Sequence, residues 1–282
     1  MLKPKIADLG ATRHILKAFD LHASKRLGQN FLIHSGTVEA IVATADIHPG
    51  DRVLEIGPGI GTLTQGIAEA GASVTAVELD KKLPAVLAET LSGYTQVRIV
   101  GGDILKTDIL ALMGDEPFKV VANLPYYITT PILLTLLERR LPITRIVTMV
   151  QREVAERVIA SPGGRDYGAL SVAVQYYTDP RLALAVSPRC FLPPPAVESA
   201  VMDCVVRETP PVEVTDEKQF FRVVRAAFGQ RRKTLGNALK SLGVPRDTLQ
   251  GALTMAGIDP FRRGETLSLA EFAALSAALE EK

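Results

Sequence analysis

Residues Arg52 to Leu63 read RVLEIGPGIGTL, and the fold is decided here. The first half, Arg52-Val53-Leu54-Glu55-Ile56, is a short apolar run with the length of a buried strand. Three alternate glycines, Gly57, Gly59 and Gly61, then turn the chain, and Leu63, Ile67 and Ala70 recur at helical spacing. Strand, glycine turn and helix form one supersecondary unit.

Outward from this unit the same alternation repeats. Upstream, Val38, Ile41, Val42 and Ala45 mark a helix with Ser35 as its cap, closed by His48-Pro49-Gly50. Downstream, Ser73 to Leu79 alternates as a second strand, and Leu83, Val86, Leu87 and Leu91 lie on a helix. Val97 to Val100 is a third strand running into Gly102-Asp103, and Val120-Val121-Ala122 a fourth ending at Asn123. Thr130 and Pro131 are expected as N-cap and first residue of the next helix. Arg145 to Gln151 is a fifth strand, leading into a helix through Val154 and Val158. Two later strands, Arg181 to Val186 and Ser199 to Val206, are of the kind that close such a sheet antiparallel.

The expected fold class is therefore α/β, a Rossmann-like parallel sheet wound on both faces, with a small C-terminal all-α domain. Residues 1–208 form the first domain with a basic N-terminal extension. Thr209-Pro210-Pro211 begins a linker, and residues 209–282 carry four helical patterns. These run through Phe220, Val224 and Phe228, through Leu235, Leu239 and Leu242, from Pro245 to Ala256, and from the capping-box spacing Ser268-x-x-Glu271 to Leu279.

Composition limits the function classes. With 282 residues, 47% of them apolar, the chain can bury one full core and a smaller one. No apolar run reaches membrane-spanning length, and the start, MLKPKIADLGATRHILK, has no signal-peptide core. A cytoplasmic location is expected, and Asp8 and Asp20 among the early basic residues argue against an organellar transit segment. Cys190 and Cys204 are the only cysteines, which supports neither a disulfide framework nor a cysteine zinc site, and no metal is expected. His14, His22, His34 and His48 all precede the first strong strand, against a histidine base later in the chain. The net charge is +1, yet Lys218 to Arg246 holds eight basic residues and no acidic one. A solvated helix face usually mixes signs, so a phosphate backbone is the natural partner of this segment.

In a wound sheet, ligands bind at the carboxyl ends of the strands, and Gly57 to Gly61, Glu78, Asp103 and Asn123 end four successive expected strands. The spacing G-x-G-x-G differs from the G-x-G-x-x-G that seats a pyrophosphate on a helix N-terminus, and Glu55 adds negative charge where nicotinamide-cofactor phosphates would be disfavoured. A sulfonium cation fits better. Gly57 and Gly59 allow close backbone approach, Glu78 is placed for ribose hydroxyls, and Asp103 for an adenine amino group. For Glu55 and Asp80, orienting backbone amides or neutralising Lys81 and Lys82 is an equally good reading. At the fourth strand end, Asn123, Leu124, Pro125 and Tyr126 combine an amide oxygen, a carbonyl held by proline and a flat ring. Together these suit an exocyclic amine on a planar base; a plain strand-ending turn is the simpler alternative.

The segments KRLGQNFL, VLEIGPGIGTLT, VELD, GDIL, NLPYYI, QREVAERV, FLPPPAVESAV and GIDPFRRGETLSLAEF occur in this order between Lys25 and Phe272. In this the chain resembles the small-subunit (16S) rRNA adenine N6-dimethyltransferase family. The resemblance implies an S-adenosyl-L-methionine-dependent methyltransferase domain that dimethylates two adjacent adenosines in the 3′-terminal hairpin of 16S rRNA, within the 30S subunit or its precursor; a monomer is expected. It also implies that Asn30, Leu32, Gly57, Glu78, Asp103 and Asn123 surround the cofactor. Asn123, Leu124, Pro125 and Tyr126 would hold the target amine, and Phe191 would stack on the other face of the adenine. A 23S rRNA adenine methyltransferase and a non-catalytic RNA-binding assembly factor share the core and are the competing expectations; the tail from Gly257 to Phe272 and intact Asn123 and Tyr126 favour the small-subunit enzyme.

Overall fold

A computed structural model describes residues 5–280. Its strands are β1 (Phe31–Leu32), β2 (Arg52–Ile56), β3 (Ser73–Glu78), β4 (Val97–Gly101), β5 (Phe118–Asn123), β6 (Ile143–Gln151), β7 (Thr178–Val186), β8 (Phe191–Leu192) and β9 (Ser199–Val206). Seven of them form one sheet ordered β4-β3-β2-β5-β6-β9-β7, while β1 and β8 pair by themselves, antiparallel. Strands β2 to β6 are mutually parallel, and β9 runs antiparallel to β6 with Gln151 opposite Ser199. Val53, Leu54, Val120, Val121, Ala122, Ile146 and Val147 are all fully buried. Consecutive burial of this kind is the mark of a strand covered on both faces, and it explains why the central strands read as apolar runs rather than alternating ones.

Asp203 on β9 is fully buried and is held by Arg145 from β6 at 2.8 Å and Arg181 from β7 at 2.7 Å. Burial alone would raise its pKa, but the two guanidinium hydrogen bonds win and hold the carboxyl below its ordinary value. The antiparallel edge is thereby pinned by charge inside the sheet.

The helix boundaries differ from expectation in two places. Helix Ser35–Thr44 is capped by His34, whose ring accepts from the Thr37 amide, and Ser35 is already its first residue. Helix Thr129–Glu138 begins one residue before Thr130, with Ile128 at the cap position, so Pro131 sits third. Both remain in the first turn, where a missing proline N–H costs nothing. A helix over Leu9–Ala18, capped by Asp8, lies in what reads as a merely polar and basic start.

The chain divides into two compact units. The first runs to Ala155 and resumes over Pro180–Val206; the second takes Glu156–Asp179 and the chain from Arg207 onward. The expected boundary at 208 is thus corrected at one segment, since residues 156–179 group with the C-terminal helices. Aromatic packing accounts for this: Tyr176 lies 5.2 Å from Phe220 and Tyr167 lies 5.9 Å from Phe228, ring centre to ring centre. Within the second unit helices span Ala169–Tyr177, Glu217–Gly229, Arg246–Met255 and Leu269–Glu280. The capping box at Ser268 and Glu271 forms in both directions, at 2.8 and 3.2 Å. Leu235 to Leu242 is a single α-turn followed by a 3-10 turn rather than one helix.

Candidate active site

The strand order turns back between β2 and β5, the switch point of the sheet. At their carboxyl ends lies a cleft of about 1090 Å³, counting the solvent at its mouth. Its walls include Asn30, Leu32, Gly57, Gly59, Glu78, Asp103, Asn123, Leu124, Pro125 and Tyr126. The expected site residues are therefore gathered in one place, with Phe191 as the exception. Phe191 is only 3% exposed and packs in the core with Leu32, its neighbour across the β1–β8 pair. It is not part of the cleft lining.

The glycine turn takes the shape its sequence demands. Gly57, Gly59 and Gly61 have φ of 70°, 62° and 94°, a region closed to most side chains. A Cβ added at Gly57 would meet nothing within 4 Å, so the bare backbone leaves room for a ligand at the turn.

Glu78, 6% exposed, accepts the Gly59 amide at 3.2 Å with one oxygen and the Asp80 amide at 2.7 Å with the other. Each oxygen keeps a second lone pair for a ligand hydroxyl. Burial pushes its pKa up, against these amide bonds. Asp80 in turn accepts the Lys82 amide at 3.0 Å and the Gln29 side-chain amide at 2.9 Å. Gln29 thus ties the segment before β1 to the end of β3, a contact not visible in sequence. Asp103 accepts the Leu105 amide at 3.1 Å.

Glu55 is 1% exposed. Burial pushes its pKa up to about 8, with Thr64 opposing and the charge of Glu78 adding to the shift. One of its carboxylate oxygens, and the hydroxyl of Thr62 beside the cleft, have no hydrogen-bond partner among the described residues.

At the end of β5, Asn123 donates its side-chain N–H to the Asn30 carbonyl at 3.2 Å. That bond fixes which end of the amide is the donor and leaves the oxygen as the acceptor. Leu124 is 2% exposed and its amide is tied to the Met149 carbonyl at 3.1 Å, so the following carbonyl is held in place. Tyr126 is half-buried, its hydroxyl 2.6 Å from that of Ser199 on β9, and burial raises its pKa. Ser199 was not among the expected site residues; its partner lies 73 positions away and no spacing rule reaches it.

Comparison with known proteins settles the family. Residues 21–281 match the family model described as ribosomal RNA adenine dimethylase. The chain belongs to the ribosomal RNA adenine dimethylase family. This dimethylase is 50% identical to the ribosomal RNA small subunit methyltransferase A of Moorella thermoacetica, covering 98% of this chain and 99% of that one. It is 49% identical to the protein of the same name from Geobacillus kaustophilus, over 97% of each. Among solved structures, a dimethyladenosine transferase from Plasmodium falciparum superposes with a TM-score of 0.74 at 25% identity, over 87% of the dimethylase and 95% of that chain. The 23S rRNA methyltransferase ErmE gives 0.68 at 29% identity, over 89% and 100%. The Rossmann-like α/β fold of the dimethylase is common to these enzymes.

Proposed function

We propose that the dimethylase transfers methyl groups from S-adenosyl-L-methionine to the N6 amino groups of two adjacent adenosines in the 3′-terminal hairpin of 16S rRNA, as a cytoplasmic monomer acting on the small subunit or its precursor. The observation that carries this reading is the Asn123 amide, turned by Asn30 so that its oxygen and the Leu124 carbonyl are both acceptors at one strand end. An amino group has two N–H donors to offer them.

The cleft fits the cofactor. Glu55 lines the cleft with an unpartnered buried oxygen that a ligand can satisfy by hydrogen bonding, its burial favouring the neutral acid over the negative charge expected from sequence, and Gly57 leaves the space a side chain would fill. When bound, S-adenosylmethionine supplies an electrophilic methyl on a sulfonium. Glu78 would accept ribose hydroxyls and Asp103 the adenine amine of the cofactor, with Leu32 and Asn30 on the facing wall. The target adenine has to leave its stack, at about a few kcal/mol, offset by stacking on Tyr126 and by the two hydrogen bonds at Asn123 and Leu124. Those bonds draw the amine lone pair out of conjugation. Positioning of this kind can lower a barrier by about 7–11 kcal/mol; each transfer would form an N6–methyl bond as the sulfonium–methyl bond breaks, leave S-adenosylhomocysteine and release the N6 proton to water, so it asks no histidine base of the chain.

The small-subunit target rather than 23S rRNA is supported by the curated relatives at 50% and 49% identity against 29% for ErmE. The test is incubation with labelled S-adenosylmethionine and, separately, 30S and 50S particles from methyl-deficient cells. Label recovered as N6,N6-dimethyladenosine in 16S rRNA is expected; label in the 50S particle would shift the assignment to 23S rRNA, and none in either would leave a binding factor.

A further inference from the structure

Phe261 is the most exposed large apolar residue among those described, at 80%, and its backbone is held rigidly. It is the third residue of a turn in which the Arg262 amide donates to the Asp259 carbonyl at 3.1 Å. The Asp259 carboxylate takes the Phe261 amide at 2.9 Å, and Pro260 stands between them. On the far side, Arg262 is anchored by Thr266 and Glu271. An apolar ring this exposed on a turn this well fixed is not there to fill a core.

Its surroundings point to a ligand class. The Leu235 amide donates to the Arg262 carbonyl at 2.6 Å and the Gly236 amide to the Pro260 carbonyl at 3.0 Å. A Cβ on Gly236 would lie 3.2 Å from that of Pro260, so glycine permits the close approach. The two hydrogen bonds zip the Phe261 turn to the segment that follows Arg231, Arg232 and Lys233. The side chains of Arg232 and Lys233 are exposed and make no hydrogen bond or ion pair among the described residues. Arg263, exposed just after the turn, is 4.0 Å from Glu265. Free cations on a segment tied by backbone hydrogen bonds to the turn that presents an exposed ring are the pairing by which proteins hold single-stranded nucleic acid: charge takes the phosphates and the ring takes a base.

We propose that Phe261 is a stacking platform for one unpaired base of ribosomal RNA, whose flanking phosphates are held by Arg232 and Lys233. This rests on the reading of the chain as an enzyme of ribosomal RNA and adds to it a second, non-catalytic nucleotide contact in the C-terminal unit.

The test measures binding of 30S particles by wild type, Phe261→Ala, Phe261→Leu and Phe261→Trp across a salt series. Phe261→Ala and Phe261→Leu are both expected to weaken binding about tenfold, with the slope of log affinity against log salt unchanged, since no phosphate contact is lost. Phe261→Trp is expected to bind at least as well as wild type. The chain has no tryptophan, so that variant carries a single one, whose emission should be quenched when a base stacks on it. Full binding by Phe261→Leu with loss in Phe261→Ala would mean an apolar protein contact and would overturn the proposal, as would unquenched tryptophan in the bound complex. If both variants bind as wild type while wild type still methylates 16S rRNA, only this inference fails. If wild type neither binds nor methylates 30S particles, both readings fall.

Discussion

The amide nitrogen of Asn123 and the backbone carbonyl of Asn30 are hydrogen-bonded at 3.2 Å across 93 residues of sequence. One bond therefore joins the segment before β1 to the end of β5, and it decides which face the Asn123 oxygen presents. Removing the side chain removes an acceptor that matters only when an amine is in place. Asn123→Ala is expected to lower methyl transfer by at least about a hundredfold, as loss of one preorganised polar partner does elsewhere, with RNA binding and melting temperature near wild type. Near-normal turnover would reduce the motif to a strand-ending turn. Asn123→Asp should be similarly impaired, because a carboxylate cannot donate to the Asn30 carbonyl and loses its orientation.

Glu78 offers a separate test of the cofactor. It already accepts two backbone amides, from Gly59 and Asp80, so it shapes the glycine turn as well as facing the cleft. Calorimetry on the wild type should show S-adenosylmethionine or S-adenosylhomocysteine binding and no NAD binding. In Glu78→Ala the affinity is expected to fall by roughly tenfold or more, with the two amide bonds contributing about 1–3 kcal/mol of local stability that is also lost. Tight NAD binding to the wild type would overturn the cofactor assignment.

Glu55 makes a prediction about pH. Its carboxyl has an ordinary value of 4.5 and in the folded chain ionises at about 8. Between these limits the folded state keeps a proton that the unfolded state gives up, so stability falls as pH rises through the window and is fully retained only below it. Glu55→Gln keeps the shape and stays neutral. Its melting temperature should match or trail wild type at pH about 5 and overtake it increasingly towards pH about 9. A constant difference between the two proteins over that range would mean that Glu55 is ionised throughout.

Much of this was legible before any coordinates. The run Arg52 to Gly61 specifies strand and turn because burial on both faces and positive φ each leave few residue choices, and four strand-end polar groups fall together because parallel winding puts all those ends on one edge. What sequence could not reach depends on contacts between distant residues. Ser199 meets Tyr126 only because β9 comes in antiparallel to β6, and residues 156–179 join the second unit because Tyr167 and Tyr176 find Phe228 and Phe220. The surroundings of Phe191 depend on such a contact too: pairing of β8 with β1 packs it in the core with Leu32.

Arg231, Arg232 and Lys233 lie together in the acid-free stretch from Lys218 to Arg246, and the structure separates them. Arg231 donates to the Tyr167 carbonyl at 2.7 Å and the Arg165 carbonyl at 3.3 Å, holding a loop of its own unit, whereas Arg232 and Lys233 are exposed and uncommitted. Arg222, earlier in the same segment, is likewise spent on the Leu242 carbonyl at 2.6 Å. A guanidinium that bonds to backbone carbonyls can contribute stability without touching phosphate. Arg231→Ala should therefore cost on the order of 1 kcal/mol of stability, discounted for its exposure, and leave the salt dependence of 30S binding unchanged. Arg231→Lys should not restore it, since one ammonium cannot reproduce the planar fork to two carbonyls. Arg232→Ala and Lys233→Ala should each flatten the slope of log affinity against log salt by roughly one unit with no change in melting temperature. Equal slopes for wild type and the Arg232→Ala, Lys233→Ala double variant would take this turn out of the RNA contact and leave Lys25 and Arg26 as the basic residues to examine. A slope change in Arg231→Ala alone would show that its carbonyl bonds give way to phosphate when RNA binds.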